Sequence, residues 1–138
     1  MKPELSDPSL LRTTSYVAGR WMAAAGNSLT VTNPATGAAV AEVSMVTRSE
    51  TEAAISAAHE AMSGWRDVPA KARAQILRRW FDLMMAHQED LAIIMTTEQG
   101  KALAESRGEV AYGAAFMEWF GEQAKRIDGD VIPAPSSD

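Results

Sequence analysis

Few residues of the types that do chemistry occur in this sequence, and their spacing favours structural roles. Glu105 and Glu109 lie four residues apart, which would place two carboxylates on one helix face and could support acid–base catalysis. Carboxylates at this spacing are more often solvated or ion-paired, and Arg107 is close in sequence. His59 and His87 are the two histidines, and neither has a second His or a Cys at the spacing of zinc ligands. We therefore predict no catalytic residue and no zinc site in this chain.

A possible phosphate-binding segment fails on its flanking residues. Gly100-Lys101 resembles the end of a phosphate-binding loop, but Met95 stands where that loop needs Gly, and Ala102 stands where it needs Ser or Thr. Gly100 is better interpreted as the cap at the end of a helix. The sequence has no G-x-G-x-x-G fingerprint. We therefore predict no cofactor-binding residue in this chain.

Composition excludes several classes of partner. The formal net charge is −5 and the pI is about 5.0, so nucleic acid and anionic membrane are disfavoured as partners. The longest uncharged apolar stretch, residues 110–117, is far shorter than the roughly 20 residues needed to cross a bilayer. There is no cysteine and no apparent signal peptide. These features predict a cytoplasmic protein.

The pattern of apolar residues predicts a small N-terminal β element followed by about four α-helices. Residues 1–15 are polar and are predicted to form a loose arm. Extended segments are predicted over residues 16–21, 29–32 and 39–43, with a type I turn at N-P-A-T-G (33–37).

The helical part is divided by caps and breaks. A capping box of Ser49 and Glu52 predicts the start of the first helix. Asp67 with Pro69 suits the start of the second. The apolar phase resets around His87, and the third helix is predicted to end at Gly100. A fourth helix is predicted over residues 102–126.

The fourth predicted helix has two apolar faces. Small and aliphatic side chains share one face: Leu103, Val110, Ala114, Met117 and Gly121. Tyr112, Phe116 and Trp119 lie nearly opposite. A surface helix needs one apolar stripe, so two imply burial on both sides or a second face that lines something. The simpler interpretation is that the aromatic face packs on further polypeptide. The chain is therefore predicted to be part of a larger protein.

Six short motifs follow one another in a fixed order along nearly the whole chain. They are residues 17–21, 33–37, 57–66, 73–77, 98–101, and Glu109 followed by 129–133. This order resembles the N-terminal part of the aldehyde dehydrogenases. Residues 80–91 and 116–120 are most similar to the bacterial succinate-semialdehyde subgroup of that family.

The resemblance implies an α/β parent fold in which residues 16–138 form the N-terminal part of the cofactor-binding domain, without its Rossmann core. It implies that the parent oxidises succinate semialdehyde to succinate with NADP or NAD, as a homodimer or homotetramer. In the family a cysteine thiolate attacks the aldehyde, an amide and a backbone N–H hold the oxyanion, and a glutamate activates water. The catalytic cysteine, the oxyanion-holding amide and the glutamate have no counterpart in this chain. Residues 1–138 alone are therefore expected to be inactive.

The resemblance also implies two sites within this chain. Tyr112, Phe116 and Trp119 match the aromatic residues that line the family's substrate tunnel. Val31, Thr32 and Glu98 match positions near a structural monovalent cation, which backbone oxygens hold in some members.

Two alternatives remain open from the sequence. The parent could oxidise another small aldehyde, such as glutarate semialdehyde or betaine aldehyde. Alternatively, the chain could be a non-catalytic helical interaction module.

Overall fold

The computed structural model describes residues 3–135 and places four strands and four α-helices within them. A short 3-10 helix (Pro8–Leu10) precedes the strands. The strands are β1 (Ser15–Val17), β2 (Arg20–Met22), β3 (Ser28–Thr32) and β4 (Ala39–Ser44). The helices are α1 (Arg48–Asp67), α2 (Ala70–Ala86), α3 (Gln88–Gln99) and α4 (Leu103–Gln123). The predicted order of a β element followed by four helices is confirmed.

The strands form two separate antiparallel hairpins rather than one sheet. Residues 16–21, which were predicted as one extended segment, lie in the β1–β2 hairpin. Its two-residue loop has positive φ at Ala18 (49°) and Gly19 (81°). Two positive φ values are what a type I′ turn requires. The β3–β4 hairpin follows the predicted pair of strands, with a bulge between Val31 and Thr32.

The turn between β3 and β4 is held by its own first residue. The carbonyl oxygen of Asn33 accepts from the amides of Thr36 (3.3 Å) and Gly37 (2.7 Å), and its side-chain oxygen accepts from the amide of Ala35 (2.9 Å). The bond from the Thr36 amide to the Asn33 carbonyl closes the predicted turn, in which Pro34 is the second residue. Gly37 follows with φ 72°.

The N-terminal arm differs from the prediction of a loose segment over residues 1–15. Both carboxylate oxygens of Asp90, in the first turn of α3, accept backbone N–H groups of the arm, from Ser6 (2.9 Å) and Asp7 (2.8 Å). The Asp7 side chain caps the 3-10 helix through the amide of Ser9 (2.9 Å). The backbone of the arm is therefore fastened to a helix more than eighty residues away, which no local pattern could indicate.

Helix α1 begins with a capping box, but two residues earlier than predicted. Thr47 has the extended backbone of a cap (φ −75°, ψ 166°), and its side chain accepts from the amide of Glu50 while Glu50 accepts from the amide of Thr47. Ser49 lies inside the first turn, and Glu52 pairs with Arg48. The spacing S/T-x-x-E occurs twice here, and the pair whose first residue lies outside the helix forms the box.

Acidification is expected to fray the start of α1. Hydrogen bonds from the backbone of Thr47, then from the backbone of Ala25 and the hydroxyl of Thr47, hold the pKa of Glu50 below its ordinary value of 4.5. A carboxyl with a depressed folded-state pKa adds stability above its unfolded pKa and loses it as the pH falls through the folded pKa. Helicity followed by circular dichroism should thus fall below about pH 4.5. Glu50→Gln should weaken this dependence, and an unchanged titration would contradict the prediction.

Helix α4 packs against α2 and α3, and small residues make that packing possible. The buried residues of α4 are Ser106, Val110, Ala114 and Gly121, and Gly121 faces the carbonyl oxygen of the buried Ala74 of α2. The Ser106 hydroxyl, fully buried, shares a 2.8 Å hydrogen bond with the hydroxyl of Thr96. Close helix approach thus depends on the absence of large side chains at these positions.

The helix boundaries agree with most of the predicted breaks. Asp67 ends α1 instead of starting α2 as predicted, whereas Pro69 immediately precedes α2, where its fixed φ suits a helix start. His87 joins α2 to α3. Gly100 closes α3 in the left-handed conformation (φ 77°), which confirms its interpretation as a cap. No helix within residues 3–135 is both long enough and apolar enough to span a membrane.

Candidate functional site

The aromatic face of α4 is exposed to solvent. Tyr112, Phe116 and Trp119 are 69%, 43% and 59% exposed. The rings of Tyr112 and Phe116 meet edge to face, with centroids 5.0 Å apart. With Ala115 and Phe120 these side chains line an open apolar depression of about 350 Å³. The structure therefore brings together all three residues predicted to line a substrate path.

The opposite face of α4 is the buried one. Val110, Ala114 and Gly121 are buried, and Leu103 and Met117 are half-buried. The prediction of two apolar faces is thus confirmed. One face is used for packing against α2 and α3. The other is a continuous aromatic surface without cover from residues 3–135.

The segments that carry the candidate cation ligands meet at the end of α3. The ring of Pro34 lies so close to Gly100 that a Cβ at Gly100 would sit 2.7 Å from the Pro34 Cγ. Thr32 and Glu98 each lie two residues from this contact, and both are exposed, whereas Val31 is half-buried. The fold thus places both segments in one region, while the cation site itself stays a prediction.

Gly100→Ala is expected to lower stability by about 2 kcal/mol. A left-handed backbone costs a residue with a Cβ about 1–2 kcal/mol, and the new methyl group also meets a stiff proline ring rather than a flexible side chain. Gly37→Ala is the matched control, because Gly37 has a similar φ (72°) and nothing within 4 Å of its Cβ position. Urea unfolding measures the free energy of unfolding of both variants. Equal losses of this free energy would show that the contact with Pro34 contributes nothing.

The charged residues near the candidate carboxylate pair are engaged in ion pairs. Lys101 pairs with Glu109. Arg107 donates two 2.7 Å hydrogen bonds to Glu89, one to each carboxylate oxygen. Those bonds hold the pKa of Glu89 below its ordinary value. Glu109 is thus ion-paired with a lysine, which is one of the two ordinary states expected of carboxylates at this spacing.

The Gly100-Lys101 segment does not fit a phosphate. Lys101, the cation of the segment that resembles a phosphate loop, is paired with Glu109, and Gly100 is pressed against Pro34. Within residues 3–135 no group of three or more His, Cys, Asp or Glu side chains could hold a metal ion. His59 lies exposed on α1. The geometry of residues 3–135 therefore offers packing surfaces and an exposed aromatic face.

Comparison with known proteins decides what these surfaces belong to. A match to the aldehyde dehydrogenase family covers residues 21–138. The chain belongs to the aldehyde dehydrogenase family. The glutarate-semialdehyde dehydrogenase of Pseudomonas aeruginosa is 52% identical over 136 residues, and the NADP-dependent succinate-semialdehyde dehydrogenase of Escherichia coli is 50% identical over 136 residues. Each alignment covers 98% of this chain and 28% of the relative.

The fold of this aldehyde dehydrogenase segment also matches a solved relative. The succinate-semialdehyde dehydrogenase of Burkholderia pseudomallei superposes with a TM-score of 0.91 at 51% sequence identity, over 96% of this chain and 28% of that one. The chain thus spans less than a third of the length of the enzymes it matches. The α/β parent fold predicted from the motifs is confirmed.

Sequence reasoning missed one feature of the site region, the anchor of the N-terminal arm. Asp90 is 4% exposed, and a buried carboxylate is unusual enough to need partners. Its position directly before the apolar run at residues 91–95 was the available signal. Its partners, the amides of Ser6 and Asp7, could not be recognised because backbone groups leave no trace in the sequence.

Proposed function

We propose that this chain is the N-terminal portion of an NAD(P)-dependent aldehyde dehydrogenase that, at full length, oxidises succinate semialdehyde to succinate. The observation that carries the proposal is 50% identity over 136 residues with the NADP-dependent succinate-semialdehyde dehydrogenase of Escherichia coli. The full-length enzyme would act in the cytoplasm on a small aldehyde, as a homodimer or homotetramer, without nucleic acid or membrane as partner. Neither its cofactor nor its catalytic cysteine would be held by residues 1–138, which contain no cysteine.

Glutarate semialdehyde is the second candidate substrate. The Pseudomonas aeruginosa enzyme that acts on it by name is 52% identical, slightly more than the Escherichia coli relative. The two substrates differ by one methylene group, which a binding pocket separates by only about 1–3 kcal/mol. The ratio of kcat/KM for the two semialdehydes, measured on the full-length protein, distinguishes them. A preference for betaine aldehyde over both would contradict the proposal.

A chimera tests whether this chain supports the chemistry. Residues 1–138 replace the matching segment of the Escherichia coli succinate-semialdehyde dehydrogenase, which aligns with 98% of this chain. We expect the chimera to reduce NADP with succinate semialdehyde, with kcat/KM within about tenfold of the unmodified enzyme, a change of about 1.4 kcal/mol in transition-state stabilisation. Residues 1–138 alone should show no activity. A folded but inactive chimera, or activity in residues 1–138 alone, would overturn the proposal.

Within this function, the aromatic face of α4 would line the path of the substrate to the catalytic centre. Its three rings are apolar, adjacent and uncovered, and the depression they form has the size of a small-molecule site. The structural cation would be held near Val31, Thr32 and Glu98. Both roles rest on the family match.

Trp119→Ala is the variant that tests the substrate path. In the chimera it should raise the KM for succinate semialdehyde about tenfold with a smaller change in kcat, because it removes apolar contact made in both the ground state and the transition state. Trp80→Ala is the matched control, since Trp80 is similarly exposed (53% against 59%) but lies on α2. Equal effects of the two variants on KM would contradict the proposed path.

A further inference from the structure

The two ends of α4 are fastened to other helices in different ways. Near its start, Arg107 donates two 2.7 Å hydrogen bonds to the carboxylate of Glu89 on α3. Near its end, among the residues that the structure describes, a single side-chain hydrogen bond reaches another helix, from Nη1 of Arg78 on α2 to Glu118 (3.0 Å). The half of α4 that carries Trp119 therefore has one directional attachment.

The apolar contacts at this end of α4 do not fix its rotation. Gly121 faces the carbonyl oxygen of Ala74 and the Cβ of Leu77, each 3.4 Å from the position that a Cβ of Gly121 would take. Interlocking side chains normally determine how two packed helices are oriented, and a glycine supplies none. Packing of this kind keeps α4 close to α2 but sets its rotation about its own axis only weakly.

The guanidinium of Arg78 is already held in place on α2. Its Nε and Nη2 each lie 3.0 Å from the same carboxylate oxygen of Asp82, one turn later, and its Cζ lies 4.8 Å from the centroid of the Phe81 ring. A guanidinium is planar and its N–H groups point in fixed directions. Once these contacts fix its plane, Nη1 therefore defines where the carboxylate of Glu118 must lie.

Glu118 lies between the two faces of α4, so its position is tied to the rotation of the helix. At 100° per residue it is about 60° from Gly121 on the packed face and about 100° from Trp119 on the aromatic face. Any rotation that breaks the bond to Arg78 turns Trp119 by the same angle. A rotation of about 20° moves an atom about 6 Å from the helix axis by about 2 Å, which is enough to change the contacts of a ring.

We propose that Arg78 and Glu118 are a positioning pair that fixes the rotation of α4 and thereby aims Trp119 into the path of the substrate. The inference rests on the proposed function, because it needs the aromatic face to line that path. The side chains of the pair are 56% and 41% exposed, and ion pairs at such exposure contribute little to the free energy of unfolding. The role of the pair is therefore orientation, exerted through Trp119, and neither member is a catalytic residue.

Glu118→Leu in the chimera provides the first test. It keeps a side chain of similar size but removes the acceptor of Arg78, so the KM for succinate semialdehyde should rise about fivefold with little change in kcat or in the urea unfolding midpoint. Glu118→Gln retains an acceptor oxygen and should stay within about twofold of the wild type. Glu122→Leu is the matched control and should leave the KM unchanged. Glu122 lies one turn later, lines the same groove between α2 and α4, and has no ion pair within residues 3–135.

A second test determines whether the pair acts through Trp119. Arg78→Leu should raise the KM as much as Glu118→Leu does, and the double variant should raise it no further, because both changes remove the same bond. In the Trp119→Ala background, Glu118→Leu should leave the KM unchanged, since the ring that the pair aims is absent. A purely structural role would instead lower the urea unfolding midpoint in every background.

The outcomes separate the positioning pair from the proposed function. An active chimera in which Glu118→Leu leaves the KM unchanged would overturn the inference while the proposed function stands. Effects of Glu118→Leu and Trp119→Ala that multiply would also overturn it, because Glu118 would then act independently of the ring. Were Trp119→Ala itself without effect, the substrate path and the positioning pair would both be wrong. An inactive chimera would overturn the proposed function, and the inference with it.

Discussion

Gly121→Leu is expected to destabilise the chimera by about 3 kcal/mol or more, because the new side chain has no space between α4 and α2. A Cβ at Gly121 would already lie 3.4 Å from the carbonyl oxygen of Ala74 and 3.4 Å from the Cβ of Leu77. A single methyl group fits at these distances. Three further carbons do not, so α4 must move away from α2 to admit them.

Gly108→Leu is the matched control for this variant. Gly108 lies in the same helix and its Cβ position has nothing within 4 Å. Replacing an exposed helical glycine should stabilise the protein by about 0.5–1 kcal/mol. Gly121→Ala should be close to neutral. Urea unfolding midpoints should therefore place Gly121→Leu well below the other two, and a similar midpoint for both leucine variants would show that the contact with α2 is not limiting.

The same displacement should be visible in function. Gly121 lies on the packed face of α4, and Trp119 lies on the aromatic face of the same rigid helix. Pushing the helix away from α2 moves both faces together. The KM for succinate semialdehyde should consequently rise in the Gly121→Leu chimera even where it remains folded.

The two faces of α4 were predictable because they depend on one helix alone. At 100° per residue, the positions of Val110, Ala114 and Gly121 already define one face, and those of Tyr112 and Trp119 define another. Which face is buried in this chain is a property of its neighbours. The small residues decided it, since only they allow α2 to approach.

Features for which the sequence offers two or more equivalent candidate residues were harder to predict. Thr47 with Glu50 and Ser49 with Glu52 have the same spacing, and the sequence does not say where the extended segment after β4 ends. The single β element was likewise expected from local patterning. Its division into two hairpins depends on which neighbouring strands pair with each other, which alternation does not encode.

The candidate site was predictable only in part for a related reason. Tyr112, Phe116 and Trp119 come from one helix, so their spacing alone groups them on one face. The cation candidates come from two elements, and the contact between Pro34 and Gly100 that joins those elements is tertiary. The resemblance to a family supplied what the spacing could not.

Asp90→Ala is the second variant with a large expected effect, a loss of about 3 kcal/mol in the chimera. The carboxylate is 4% exposed and receives the amides of Ser6 (2.9 Å) and Asp7 (2.8 Å). Each hydrogen bond to a charged group contributes about 1.5–3 kcal/mol. The loss should be less than the sum of two such bonds, because the released amides regain water once the arm detaches.

Asp90→Asn separates the two hydrogen bonds. Its one amide oxygen can still accept from Ser6 or Asp7, but its NH₂ group faces the other backbone N–H, so an intermediate loss is expected. Hydrogen exchange at these two amides should accelerate in the order wild type, Asn, Ala. Were both amides to keep their wild-type exchange rates in the Ala variant, the arm would be held by contacts other than Asp90. The arm has a second attachment, because the amide of Ser44 in β4 donates to the carbonyl oxygen of Thr13 (3.0 Å). Asp90→Ala should therefore release the backbone at Ser6 and Asp7, while the bond between Thr13 and Ser44 remains.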